Sequence, residues 1–140
     1  MNLYIVGDTG LPVESILPVI AELRTEMSGV SLAAQIRRQM ASGYEMIAAL
    51  DDGQAVAVCG FTTGEKLAWG KHIYIDDLVT VSHYQGQGAG KLLLDTVIDL
   101  AKERGCQSVH LDSGVQRFDA HRFYLRNGFF ISSHHFALTL

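Results

Sequence analysis

The sequence predicts an α/β domain with a mixed central sheet of six to seven strands flanked by four helices. The element order carries this expectation: it reads β-α-α-β-β-β-α-β-α-β, with the last segment long enough for one or two strands. Length carries it too. The 140 residues suit one domain, taken as 1–140, with no linker or repeat in sight. Apolar residues make up 48% and charged residues 19%, the balance of a chain that buries a core.

Each element has a local reason. Asn2–Val6 reads as the first strand. Val13, Ile16, Leu17, Ile20, Leu23 and Met27 then recur as one helical stripe, with Ser15 as cap, Pro18 in the first turn and Gly29 as the stop. A second helix is expected after Ser31, ending at Gly43. Tyr44–Leu50 and Gln54–Thr62 flank Asp51-Asp52-Gly53, a hairpin signal. Thr63–Gly70 is expected to turn. Lys71–Val81 is a long strand whose strict alternation puts Ile73, Ile75, Asp77, Val79 and Val81 on one face. A glycine-rich loop opens a helix to about Arg104, and Ser108–Asp112 is a short strand. Asp119 is expected to cap a fourth helix, with Phe118 and Phe123 as a hydrophobic staple. Phe129–Leu140 is expected to return as strand.

Composition removes several functions. A net charge of −4 and a pI near 5.8 argue against nucleic acid. No apolar run approaches the roughly 20 residues of a membrane span. The N-terminal stretch lacks the basic start of a secretory leader, so a cytoplasmic protein is expected. Cys59 and Cys106 form no CxxC pair, which argues against a disulfide scaffold or a Cys-rich zinc site. Cys59 reads as a buried thiol and Cys106 as packing. Six histidines show no HxxxH or HExxH spacing, and no metal is expected.

The chemistry-bearing segment is Gln85-Gly86-Gln87-Gly88-Ala89-Gly90, between a strand and a helix. Glycines let a backbone approach a ligand closely. A helix N-terminus offers unpaired N–H groups and the positive end of the dipole. Together they suit phosphate, although an empty strand–helix turn would look the same. The P-loop pattern fails, because Lys91 stands where its second glycine is needed and Leu92 lacks the magnesium-binding hydroxyl. The dinucleotide pattern fails at its third glycine, again Lys91. Asp112, on the next strand, lies near the spacing of a ribose-binding acid.

A third pattern fits. Gln85-x-x-Gly88-x-Gly90, after Leu78-Val79-Thr80-Val81 and before Asp119–Phe129 with its Tyr124 and Asn127-Gly128-Phe129, resembles the GCN5-related N-acetyltransferase (GNAT) superfamily. The last third looks most like aminoalkylphosphonate N-acetyltransferases. The resemblance implies acetyl transfer from acetyl-CoA to a primary amine, most plausibly of a small molecule, with neither nucleic acid nor membrane as partner. Homodimers are common among such proteins.

Residue by residue, the resemblance implies that backbone groups of Val79, Thr80 and Val81 hold the pantetheine arm. Gln85, Gly86, Gln87, Gly88, Ala89, Gly90 and Lys91 would wrap the pyrophosphate. Tyr124 would protonate the leaving thiolate. The attacking amine must be neutral although alkyl amines hold a proton to pH about 10, so a base is useful. Asp76 and Asp77 are candidates, expected to face opposite sides, with Asp77 aligning with the commoner acidic position. A backbone N–H near Val79 would polarise the thioester carbonyl. Gln85 stands where arginine is commoner, and Arg117 where many relatives carry asparagine. Arg117 and Arg122 could meet an anion or simply be solvated. His134 or His135 could line the acceptor pocket. Two rival readings remain: a CoA-binding module without catalysis, and a small nicotinamide-binding oxidoreductase.

Overall fold

A computed structural model describes residues 1–140. Its sheet begins with the predicted hairpin. Strands β2 (Glu45–Asp51) and β3 (Gln54–Lys66) meet at Asp52 and Gly53, whose φ angles are 51° and 77°. Two successive positive φ values match the right-handed twist of paired strands, and aspartate with glycine tolerates them. Strand β1 (Asn2–Val6) pairs antiparallel with β2, and β4 (Gly70–Thr80) pairs antiparallel with β3. Strand β5 (Ser108–Leu111) lies on the far side of β4, giving the order β1-β2-β3-β4-β5. The Gln107 N–H donates to the Lys71 carbonyl at 2.8 Å, so β5 starts level with the start of β4. A helical crossover between the two makes them parallel.

Four helices form: α1 (Leu17–Leu23) after a 3-10 turn at Val13–Ile16, α2 (Gly29–Ala41), α3 (Ala89–Glu103) and α4 (Phe118–Arg126). Within the first unit the sheet separates α3 from α1 and α2. Glu45 and Thr63 both bond the Arg104 guanidinium just past α3, at 2.6 Å each. Alternation sends Met46 to the opposite face, where it joins Ile20 of α1 and Ile36 of α2 around one small cavity. Ile16, Met46, Phe61, Ile73, Leu93 and Val97 are among the fully buried side chains between these layers.

Several expectations need correction. The first helix stops at Leu23 rather than Gly29, because Arg24 leaves helical geometry and its side chain turns to the sheet. The second starts at Gly29, three residues early. Arg117, not Asp119, occupies the N-cap of α4. Asp119 instead pairs with Arg122 within the first turn, and Phe118 is 65% exposed, so the staple does not form. The sheet has five strands, not six to seven, because residues 129–140 find no strand neighbour. The chain divides into two compact units, Met1–His110 and Leu111–Leu140.

Within the first unit, Trp69 organises the turn between β3 and β4. Its ring stacks on His110 at 3.7 Å, with the Lys66 ammonium 4.2 Å from its centroid and the buried His72 at its edge. His110 also bonds Ser108 at 2.8 Å. Burial holds the His110 pKa below the ordinary imidazole value, and His72 and Lys66 push the same way. The unfolded chain therefore binds this proton first, and stability is lost as pH falls through the ordinary value of about 6.5. Urea midpoints are expected to fall between about pH 7.5 and 5.5, and His110→Asn to flatten that dependence. An unchanged slope in the variant would remove His110 from the account.

Candidate active site

The site starts from one extra residue. Phe61 pairs with Ile75 and Gly60 with Asp77, so Asp76 has no partner on β3 and β4 bulges there. A bulge shifts the phase of alternation. Ile73 and Ile75 stay on the α3 face, while Asp77 and Val79 turn to the face of α1 and α2, contrary to the single-face expectation. The Asp76 and Asp77 carboxyl groups are close enough to influence one another and their neighbours. Both raise the pKa of Tyr44 and of Cys59, and Asp77 raises that of Asp76.

Asp77 is held from two directions. The Tyr44 hydroxyl donates to its Oδ2 at 2.5 Å, and Arg24 Nε donates to its Oδ1 at 2.9 Å. Arg24 also reaches the Asp76 carbonyl at 3.0 Å. Gly60 makes the Tyr44 contact possible: a Cβ there would lie 1.7 Å from the Tyr44 hydroxyl oxygen. These groups border a cavity of about 70 Å³ under α1 and α2, with Gln35 and Gln39 as its other polar side chains.

The two acids have different surroundings. Asp76 has its pKa raised, first by burial and then by Asp77, with Arg24 opposing. Burial, then Asp77, drives the Tyr44 phenol far above its ordinary value. Burial also pushes the Cys59 thiol up to about 12, consistent with its expected buried position.

Beyond the bulge, β4 exposes its backbone. The Val81 N–H donates to the Val56 carbonyl of β3 at 2.9 Å. Antiparallel pairs alternate between bonded and non-bonded, so the outward amides and carbonyls of this stretch belong to Leu78 and Thr80, and not to Val79 and Val81 as expected, whose groups face β3. Gln85 Nε2 approaches the Thr80 carbonyl at 3.4 Å, as an outward carbonyl allows. Strand β5, four residues long and level with the start of β4, ends before Leu78.

The glycine loop follows as the sequence suggests. Gly86 and Gly88 have φ of 81° and 87°, and a Cβ on either would meet no atom within 4 Å. Gly88 is the N-cap of α3. The first helical bond runs from Leu92 N–H to the Gly88 carbonyl, so the Ala89 and Gly90 amides have no acceptor within the helix. No acidic residue stands in that first turn, and Lys91 pairs with Asp95 at 3.0 Å. The local chemistry fits an anionic ligand.

Tyr124 lies on α4 in the second unit, with Phe123 and Phe129 edge-on at 5.4 and 5.8 Å. In the same unit His135 lies 3.4 Å from Asp112. No group of three or more His, Cys, Asp or Glu side chains is arranged to hold a metal, and no helix is long and apolar enough to cross a membrane. Sequence reasoning missed Arg24, Tyr44 and Gly60. Only Gly60, a lone glycine within a strand, carried a readable sign of close approach.

The bulged central strand leads through a glycine turn into a helix N-terminus, and over these elements the acetyltransferase (GNAT) family model matches, at residues 18–129. The chain belongs to that family. It is 38% identical over 121 residues to an uncharacterized N-acetyltransferase of Bacillus subtilis (strain 168), covering 85% of each protein. Similarity to the aminoalkylphosphonate N-acetyltransferase of Salmonella typhimurium is narrower: 37% over 65 residues, 46% of this chain and 41% of that protein. The crystal structure of ribosomal-protein-alanine N-acetyltransferase from Brucella melitensis biovar Abortus 2308 overlays with a TM-score of 0.85 at 16% identity, covering 100% of both chains, which shows the shared fold.

Gly60→Ala tests the bulge directly. The added methyl must displace a buried phenol, and overpacking of this kind costs about 1–3 kcal/mol. The variant is expected to lose about 3–12 °C of melting temperature, each kcal/mol being worth about 3–4 °C in a domain of this size. It is also expected to lose the Tyr44–Asp77 bond, read as the loss of a slowly exchanging tyrosine hydroxyl proton by NMR. Retention of both would place Tyr44 elsewhere.

Proposed function

We propose that this chain is an acetyl-CoA-dependent N-acetyltransferase that acylates a primary amine of a small molecule. One observation carries the reading: the paired acids at the β4 bulge stand on the same strand whose exposed end leads into the glycine turn. An amine site and an anion site are thereby fixed at opposite ends of one rigid element. Family membership gives the reaction class. The name of the Salmonella relative describes a small amine as acceptor, and the small cavity under α1 and α2 favours the same class.

Acetyl-CoA supplies an activated acetyl group on a thiol that leaves as thiolate. The outward backbone of Leu78 and Thr80, within the stretch through Val79 and Val81, holds the pantetheine arm. Amides from Gln85 to Lys91 hold the pyrophosphate at the end of α3. Main-chain donors do this without making the protein basic. An outward amide at Leu78 polarises the thioester carbonyl as it gains negative charge.

The acids divide the work on the amine. Asp77 carries Arg24 and Tyr44 on its oxygens, so it positions those groups and lends its charge to the site. Asp76 keeps a carboxylate without such partners, and its raised pKa makes it a stronger base than an ordinary carboxylate. It takes the ammonium proton, directly or through water. As the thiolate leaves it takes the Tyr124 phenolic proton, and the surplus proton on the new amide nitrogen returns to the phenolate through water.

Tyr124→Phe is expected to lower kcat by roughly 10²–10⁴-fold while leaving the Kd for acetyl-CoA nearly unchanged. Wild-type turnover in the variant, measured by thiol release across a panel of small amines, would end the assignment. Failure of the wild type on a broad panel despite tight CoA binding would favour the non-catalytic module.

The pH profile tests Asp76 separately. The base works only when ionised, so its raised pKa sets the rising limb of kcat/KM above the ordinary carboxylate range. Arg24 holds that pKa down, and Arg24→Gln is therefore expected to move the limb to higher pH. Asp76→Asn is expected to remove the limb. A limb unmoved by either change would assign the base elsewhere.

A further inference from the structure

Helix α1 ends between the two halves of the site. Arg24, just past its last turn, reaches the Asp77 carboxylate and the Asp76 carbonyl at the β4 bulge. Glu22, inside that turn, reaches past the end of the same strand. Its Oε1 accepts two hydrogen bonds from Ser82, from the backbone N–H at 3.0 Å and from the hydroxyl at 2.8 Å. Ser82 opens the 3-10 turn Ser82–Tyr84, which leads from β4 to Gly86 and Gly88. One helix end thus ties down the exposed stretch of β4 from both sides.

The chain needs that second tie. The pairing of β4 with β3 ends at the Val81 N–H, which donates to the Val56 carbonyl. The next amide, Ser82, begins a helical turn, where N–H groups find no acceptor in their own helix. Its N-cap, Val81, has no side-chain oxygen to offer. Glu22, 60 positions away, supplies the acceptor instead. The other end of the turn is fastened where Tyr84 bonds the Asp51 side chain.

We propose that Glu22 is a positioning residue for the coenzyme. By holding the Ser82 amide and hydroxyl it fixes where the glycine turn leaves the sheet, so that the amides from Gln85 to Lys91 are arranged before the pyrophosphate arrives. The inference rests on the acetyl-CoA reading of the site. Preorganisation strengthens binding by removing the cost of ordering a loop from the binding step. The sign of the effect is diagnostic, because Glu22 is an acid bonded at the approach to a site for a polyanion. A carboxylate acting through its charge alone repels the ligand, and its removal would tighten binding. A carboxylate acting through its hydrogen bonds does the reverse.

Coenzyme A itself is the probe, titrated calorimetrically into the intact chain, so no acceptor amine has to be known. Glu22→Ala is expected to raise its Kd roughly 3–10-fold, the cost of ordering the turn on binding. Glu22→Gln keeps an acceptor oxygen without the charge and is expected to bind within about 2-fold of wild type. NMR supplies a readout that needs no ligand. The Ser82 amide is expected to exchange slowly in the wild type and rapidly in Glu22→Ala, with faster backbone motion at residues 85–90 in that variant alone. Glu22 is exposed, so both variants are expected to fold. Should Glu22→Ala not fold, Ser82→Ala, which loses one of the two donors, takes its place with a smaller effect of the same sign. Unchanged or tighter binding by Glu22→Ala overturns the inference alone, as does a turn no more mobile than in the wild type. Equal weakening in both variants overturns it too, by making charge the operative property. A wild type that does not bind coenzyme A overturns the acetyl-CoA reading and this inference with it.

Discussion

The bulge at Asp76 is the constraint on which the candidate site rests. In an unbroken β4, Asp77 would share a face with Ile73 and Ile75 and lie toward α3. One unpaired residue resets the phase and turns Asp77 to the helices of the other layer. What surrounds it follows. Arg24 leaves α1 and reaches Asp77 and the Asp76 carbonyl, so the end of α1 is set by a contact with the sheet. Tyr44 reaches Asp77 across the bare backbone of Gly60, the residue opposite Asp77. The bulge, the missing side chain and the early helix end are one arrangement seen from three elements.

The same strand sets the second half of the site. Strand β4 is longer than β5, and its last backbone groups at Leu78 and Thr80 look outward where β5 no longer runs. A short 3-10 turn at Ser82–Tyr84 then feeds Gly86 and Gly88, whose left-handed geometry aims the chain into α3. The net charge of −4 is no obstacle to a polyanionic ligand in such a place. Amide dipoles and a helix end act locally, whereas binding a nucleic acid requires many cationic side chains spread over a surface.

Local rules explain what the sequence revealed. The hairpin at Asp52-Gly53, the glycine turn before α3 and the long β4 are each specified by residues adjacent in the chain. The contacts that make the site are not. Arg24 lies 53 positions from Asp77 and Tyr44 lies 33, and no periodicity brings them together. The bulge is also silent, since Asp76-Asp77 reads as ordinary alternation until the β3 register is known. Residues 129–140 failed differently. Their alternation is real, but a strand exists only with a neighbour, and the amino-acid pattern names none. The fourth helix was legible in extent and wrong in its cap. Arg122 draws Asp119 into a first-turn ion pair, leaving Arg117 as N-cap.

The electrostatics of the bulge bear on where a proton donor can reside. Two carboxylates side by side in a partly buried place resist being ionised together. Arg24 offsets part of that repulsion, and Tyr44 donates to Asp77. That donation ties up the Tyr44 proton. Burial and Asp77 both oppose loss of that proton, so a phenol nearly enclosed by the site is a poor acid for a leaving thiolate. Cys59 is in the same position: buried, beside two acids and held as a thiol, it is unsuited to act as an acyl-carrying nucleophile. The proposed reaction therefore assigns proton removal to the bulge and proton donation to another element. In the proposed reaction that donor is Tyr124, on a different helix and distant from these acids in sequence. That proposal puts a donor and an acceptor of protons with opposed needs on separate elements, as two-proton chemistry near neutral pH demands.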